Sequence, residues 1–257
     1  MAGRTHIERQ VVPTLAGAES SDDVALYLEL FETATRDVVP VHFLAAYGHS
    51  FRQHIENPVW VVQSLISNAV KEGEGARDLS ETANECERKD IQADLAVHVE
   101  DEARHCRMYV QMIDTVFPGA LPTKIRDEIE RQFPPARFAR APKSPTSDYK
   151  ILDHLIQINL GEVRTRIHQK LLEPVLYAYA PTEKRPLLCR TLCAIADDEC
   201  CHIKYTASRI GALAREVGKQ RCQELFSRRV KDFEAYTQTE LGRQKEGLFG
   251  TKLVRDR

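Results

Sequence analysis

Asp101-Glu102-Ala103-Arg104-His105 and Asp198-Glu199-Cys200-Cys201-His202 are two copies of one pattern, Asp-Glu-x-x-His, in a chain of 257 residues. Glu and His three apart lie one turn from each other on the same face of an α-helix. A carboxylate and an imidazole so placed can hold one metal ion. The chain has only three Asp-Glu dipeptides, at 101–102, 127–128 and 198–199, and two of them carry His three residues on.

Apolar residues extend both copies at steps of three and four. Around the first run Ile91, Leu95, His98, Glu102, His105, Tyr109 and Met112; around the second run Leu188, Leu192, Ile195, Glu199, His202 and Thr206. That spacing is the inward stripe of a packed helix, so Glu and His stand where apolar residues would. A buried carboxylate without a partner is costly, and a bound cation is one way to offset it. The alternative is a pair of satisfied core ion pairs.

Further out, the punctuation marks more helices. Asn57-Pro58 is a cap followed by a first-turn proline, opening a helix to about Cys86. The helix with the first motif runs from about Asp90 to Val116 and stops at Phe117-Pro118-Gly119. Residues 117–147 hold six of the twelve prolines, with a short helix near Lys124–Gln132, and read as a long crossover. A third long helix begins near Ser147 or Asp148 and is kinked or ended by Pro174. After the turn at Ala180-Pro181-Thr182, the helix with the second motif reaches about Val217.

Ser21-Asp22-Asp23 caps an additional helix to about Asp37, followed by a mixed segment from Val41 to Ile55, and a charged helix spans about Gln220–Glu240. Residues 1–20 are a lead-in of undecided order, and the tail from Gly242 is expected to fray. His42, His49 and His54 share no clean spacing with a carboxylate pair and are assigned to packing or the surface. No alternating β-branched run with hairpin turns occurs, so the chain is expected to be all-α. The expected organisation is one domain over 1–257. It has a four-helix core at 58–217, a helical extension at 21–56 and a C-terminal helix and tail at 218–257.

Net charge is −2 and charged residues make up 29% of the chain, which does not point to nucleic acid or an anionic membrane as main partner. Seven cysteines, none in a Cys-x-x-Cys pair, argue against a disulfide framework or a thiolate zinc site. No run of 18 apolar residues and no apolar leader of signal-peptide length is present, so the expected location is the cytoplasm.

A dinuclear site wants one carboxylate from each of the other two helices. On the third helix Glu162 continues Ile151, Leu155 and Ile158, whereas Glu173 adjoins Pro174. On the first, Glu74 is preferred over Glu72. It lies about 14 residues before the bend near 87–89, and Glu102 about 14 after it, which sets both at one level. Gly73-Glu74 also matches Gly161-Glu162. The alternative for Glu74 is a solvated charge in Lys71-Glu72-Gly73-Glu74. Gly73 and Gly75 weaken the helix by roughly 1 kcal/mol each relative to alanine, and allow close approach of a neighbour. Metal-bound His commonly donates its other ring N–H to a carboxylate, so Asp101 is a candidate to orient His202, and Asp198 to orient His105. Plain surface aspartates are the alternative. Cys106, Cys200 and Cys201 point away from the ligand face and are read as packing. Arg104 and Arg164 either anchor an acidic substrate or lie on the surface.

Glu74, Glu102-x-x-His105, Glu162 and Glu199-x-x-His202 resemble the ligand set of the ferritin-like di-iron carboxylate oxidases and oxygenases, over about 58–217. Glu72-Gly73-Glu74, ahead of Glu-x-x-His, is similar to the aldehyde-deformylating oxygenases. Ala196-Asp197-Asp198-Glu199-Cys200-Cys201-His202-Ile203-Lys204-Tyr205 resembles the acyl-carrier-protein desaturases. His105-Cys106-Arg107-Met108-Tyr109 resembles the helix of the ribonucleotide reductase small subunit that carries its radical tyrosine, although Tyr109 also reads as a core residue. The p-aminobenzoate N-oxygenases add a His where this chain has Ile195; His98, one turn before Glu102, is a candidate seventh ligand or a hydrogen-bonded core His.

The resemblance implies a ferritin-like four-helix bundle with a long crossover, holding two iron ions; manganese suits the same donors. It implies an O2-dependent oxidase or oxygenase acting on a C–H bond or amine of a small organic substrate, with an electron donor protein or reductant as partner. A homodimer is compatible with it. It assigns no catalytic side chain beyond the ligands. The alternatives are ferroxidase, peroxidase or iron-handling work, without rubredoxin-like cysteine pairs, and a structural helical protein whose Glu and His merely pair.

Overall fold

The computed structural model describes residues 12–15, 22–133 and 146–245. Every regular element among them is helical, as the sequence predicts, with no strand among the described residues. Eight helices carry the chain: α1 Asp22–Asp37, α2 Ala45–Arg52, α3 Pro58–Glu85, α4 Lys89–Val116, α5 Thr123–Gln132, α6 Asp148–Tyr179, α7 Arg185–Val217 and α8 Lys219–Lys245. A turn of helix at Val12–Leu15 and 3-10 turns at Val41–Phe43 and Thr182–Lys184 complete the description. Most of the lead-in, residues 134–145 of the crossover and the tail beyond 245 lie outside the described residues.

The start and stop signals act as their chemistry requires. The Asn57 side chain accepts from Val59 N–H at 3.0 Å, and Pro58 occupies the first turn, where no N–H is needed. Pro174, expected to kink or end its helix, does not end it: α6 continues for five residues to Tyr179. The proline removes one i→i−4 bond, to the Lys170 carbonyl, and the helix bridges that gap.

Backbone contacts gather the chain into two compact units. The first comprises Met1–Phe51, Thr146–Leu171 and Ala196–Thr239; the second comprises Arg52–Pro145, Leu172–Ile195 and Glu240–Arg257.

In the second unit α3 and α4 form an antiparallel hairpin. The Gln92 amide closes its bend by donating to the Ala83 carbonyl at 2.9 Å and the Cys86 carbonyl at 3.4 Å. Both helices bury a stripe stepping by three and four residues. On α3 it is Leu65, Ala69, Glu72, Ala76, Leu79 and Ala83; on α4 it is Ile91, Leu95, His98, Glu102, His105, Tyr109 and Met112. Phe133, just past α5, lies flat on α3 at Gly73, where any Cβ would collide with the ring. Arg77, one turn on, lies over that ring, its guanidinium 5.2 Å from the centroid.

The first unit is built on an aromatic cluster. Tyr27 and Phe31 of α1 meet Phe226 of α8 at centroid separations of 6.0 and 5.8 Å, and Phe43 stands edge-on to Phe31 at 6.2 Å. Gly211 of α7 lets the α1 backbone at Asp23 approach so closely that a Cβ there would overlap its carbonyl. Arg229 clamps Asp153 through two bonds of 2.5 and 2.6 Å, the fork geometry that makes an Arg–carboxylate pair strong.

Candidate metal centre

Each helix pair buries its own group of carboxylates and imidazole. In the α3–α4 pair Glu72, Glu102 and His105 each offer a ligand atom, and those atoms lie within 4.8 Å of one another. His105 Nδ1 is 3.5 Å from Glu102 Oε1 and 3.8 Å from Glu72 Oε2. All three residues are buried. His98, fully buried one turn earlier, sets its Nε2 3.3 Å from Glu102 Oε1. Burial, then the neighbouring Glu102 charge, holds the Glu72 carboxyl well above the usual carboxylate range, and His105 opposes this only in part. The same environment pushes the buried Cys106 thiol up to about 12, through burial first and the charge of Glu72 second.

Here the sequence-based choice of Glu74 needs correcting: Glu74 is exposed, and Glu72 is the carboxylate beside His105. Two residues on a helix differ by about 200° in direction, so only one of the pair can face inward. Counted from the ends of the two helices at the bend, Glu72 stands level with Glu102. Glu72 lies 13 residues before the end of α3 at Glu85, and Glu102 lies 13 after the start of α4 at Lys89. Gly75 also lets α4 come close, a Cβ there standing 3.3 Å from Glu102 Oε2.

In the α6–α7 pair His202 Nδ1 lies 3.5 Å from Glu162 Oε2. Glu199 is fully buried, and Glu162 retains 13% side-chain exposure. Two residues that sequence reading passed over complete this pair. Gln169, buried on α6 two turns beyond Glu162, donates its amide N–H to Glu199 Oε1 at 3.3 Å. Asn159, fully buried one turn before Glu162, accepts from Tyr27 Oη at 2.6 Å and donates to Thr206 Oγ1 at 2.8 Å. The Thr206 hydroxyl in turn donates to the His202 carbonyl at 2.6 Å. Three polar rungs thus cross α6 and α7: Asn159 to Thr206, Glu162 to His202, and Gln169 to Glu199. The signal for Gln169 was present, a seven-residue step from Glu162 on the inward face, as it was for Asn159, which interrupts Leu152, Ile156 and Val163.

Asp101 and Asp198 are the residues expected to orient the imidazoles, or else to be plain surface aspartates. Asp101 is ion-paired with Arg104 at 2.7 Å on its own helix, which also assigns Arg104 to the surface. Asp198 is half-buried. Tyr109 is buried, as its stripe position predicts. Arg164 lies over the Phe233 and Tyr236 rings at 5.3 and 6.0 Å. Among the cysteines read as packing, Cys106 is buried, Cys200 half-buried and Cys201 exposed; no disulfide joins any of the seven. Of the three early histidines, His42 is buried against Phe43 and Phe233, His49 is exposed, and His54 stacks on Trp60.

The donor set is oxygen and imidazole, from side chains already buried and mutually close. Such donors suit metal ions. These carboxylates and imidazoles could hold metal ions. Among the described residues no helix is long and apolar enough to cross a membrane. No family model matches the chain, and neither a curated protein nor a solved structure matches it.

Proposed function

We propose that Glu72, Glu102 and His105 in one helix pair and Glu162, Glu199 and His202 in the other are the ligands of two metal ions. The chain would then be a ferritin-like, O2-dependent di-iron oxidase or oxygenase acting on a small organic substrate in the cytoplasm. The observation that carries this reading is the repeated trio: in both pairs a carboxylate on one helix faces Glu-x-x-His on the next. Neither trio neutralises itself, since each sets two carboxylates beside one imidazole. Six such ligands total four negative charges, which balances two divalent cations.

Two ferrous ions bound there would supply the reduction of O2 and the oxidation of a C–H bond or amine nitrogen, with the remaining electrons from an external reductant. The chain's own contribution is positional. Gln169 holds one oxygen of the ligand Glu199 and so biases that carboxylate towards binding through the other, while His98 Nε2 stands 3.3 Å from Glu102 Oε1. The Asn159–Thr206 rung fixes the turn of α7 that carries His202. The apolar stripes around the ligands exclude water, which strengthens electrostatic interactions within the site.

The test is anaerobic reconstitution of the full chain with ferrous iron, followed by O2. The expected result is two irons per chain, lost in Glu102→Ala and His202→Ala. O2 uptake should be coupled to an organic product when a reductant is supplied. Two bound irons that only oxidise further ferrous ion in bulk would replace this reading with a ferroxidase. Absence of stoichiometric iron and manganese binding would leave a structural helical protein.

A further inference from the structure

Cysteine without a disulfide is among the most buried residue types, because it behaves as a small apolar side chain. Against that background, Cys189 and Cys193 stand out on α7: both are exposed. They are four residues apart in a continuous helix, and so share one face. Tyr177, near the end of α6, lies within electrostatic range of both thiols. Two thiols therefore share one exposed helix face with a phenol near them, in a part of the chain that contributes nothing to the ligand trios.

The helix decides what this pair can do. Cβ atoms at i and i+4 are about 5–6 Å apart. A disulfide needs about 3.5–4.5 Å, so the two thiols cannot oxidise to each other while α7 stays helical. A metal ion between them removes that restriction. Two metal–sulfur bonds of about 2.3 Å, set in line, separate the sulfurs by about 4.6 Å, which side-chain rotation at this spacing can supply. Thiolates select soft cations, monovalent copper foremost among those that accept only two donors.

We propose that Cys189 and Cys193 form a surface site for a soft, two-coordinate cation of the monovalent copper type, with Tyr177 near it. Binding exchanges two thiol protons for one cation, two S–H bonds giving way to two metal–sulfur bonds with no change of oxidation state. The site is distinct in donor chemistry from the carboxylate–imidazole trios, and its standing does not depend on what they bind.

The experiment titrates the full chain anaerobically with monovalent copper against the chromophoric competitor bicinchoninate. The double variant Cys189→Ser/Cys193→Ser provides the background from all other groups. The expected result is one copper per chain above that background. Because the second sulfur binds as a tethered donor, either single replacement should weaken the site by about 10²–10⁴-fold. Cys201→Ser, which removes an exposed thiol with no such neighbour, should leave the site intact, and circular dichroism would check that each variant is folded. Copper uptake equal in the wild type and the double variant would overturn the proposal. So would a single variant that binds as tightly as the wild type.

Discussion

Replacing Glu72 by Gln should produce two opposite effects in one protein. The metal-free chain buries Glu72 and Glu102 beside a single imidazole, and the second carboxylate there is charge the fold must accommodate. Gln keeps the shape and removes the charge, relieving about 1–3 kcal/mol at neutral pH. For a chain of this size each kcal/mol moves the melting temperature by about 2–4 °C, so the metal-free variant should melt higher than the wild type. The metal-loaded chain should respond the other way. Loss of a mere outer partner of a ligand costs about 10–100-fold in metal affinity, or about 1.4–2.7 kcal/mol, and loss of a ligand should cost at least as much. The stabilisation gained on adding ferrous or manganous ion, about 2.7 kcal/mol at 100 times Kd, should shrink accordingly. Glu74→Gln is the control: an exposed position should change either quantity by less than about 0.5 kcal/mol. Paired thermal melts of both variants, with and without metal, decide the matter. A Glu74 variant that loses the metal shift while the Glu72 variant keeps it would refute the assignment.

Burial, and then the Arg164 charge, lowers the His42 pKa to about 3, from an unfolded value of about 6.5. Its neutral form is favoured in the fold, so its contribution is complete above pH 6.5 and declines by about 1.4 kcal/mol per unit as pH falls towards 3. His42→Phe should flatten the acid limb of a stability–pH profile in that window; an unchanged slope would contradict the assignment. Gly73→Ala should destabilise by about 1–3 kcal/mol through the Phe133 ring, with partial recovery in Phe133→Ala, as chemical denaturation would show. Gly161→Ala, which meets nothing within 4 Å, should instead stabilise by up to about 1 kcal/mol in the same assay. Asn159→Leu strands the buried Tyr27 hydroxyl and should cost about 1–3 kcal/mol, part of it recovered by adding Tyr27→Phe; a double-mutant cycle without coupling would remove that rung.

The helices and both Glu-x-x-His faces were legible because period, caps and prolines are local signals. The α4 and α7 stripes are buried residue for residue as the spacing predicts. Glu72 was legible too: Leu65, Ala69, Glu72, Ala76 and Leu79 repeat the three-and-four step that identified Glu102. The Gly-Glu match between the two halves pointed instead to Glu74, because a dipeptide match compares neighbours, while a helix face compares residues three and four apart. Gln169 and Asn159 were missed for a different reason. A neutral amide on an apolar stripe carries no charge to demand a partner, so only the neighbouring helix reveals what it binds. Pro174 shows the limit of a local rule, since one missing hydrogen bond does not end a helix held by its packing on both sides of the proline.

The three rungs between α6 and α7 also make the pairing self-correcting. If α7 slid by one turn, Asn159 would face His202 and Glu162 would face Glu199, setting carboxylate against carboxylate in a dry seam. The penalty for sliding is therefore electrostatic as well as steric, and it belongs to the helix faces rather than to the connection between them. Insertions and deletions within Pro181–Lys184 should accordingly leave the imidazole where it is, which makes that bend the natural place to lengthen the chain or graft a new segment.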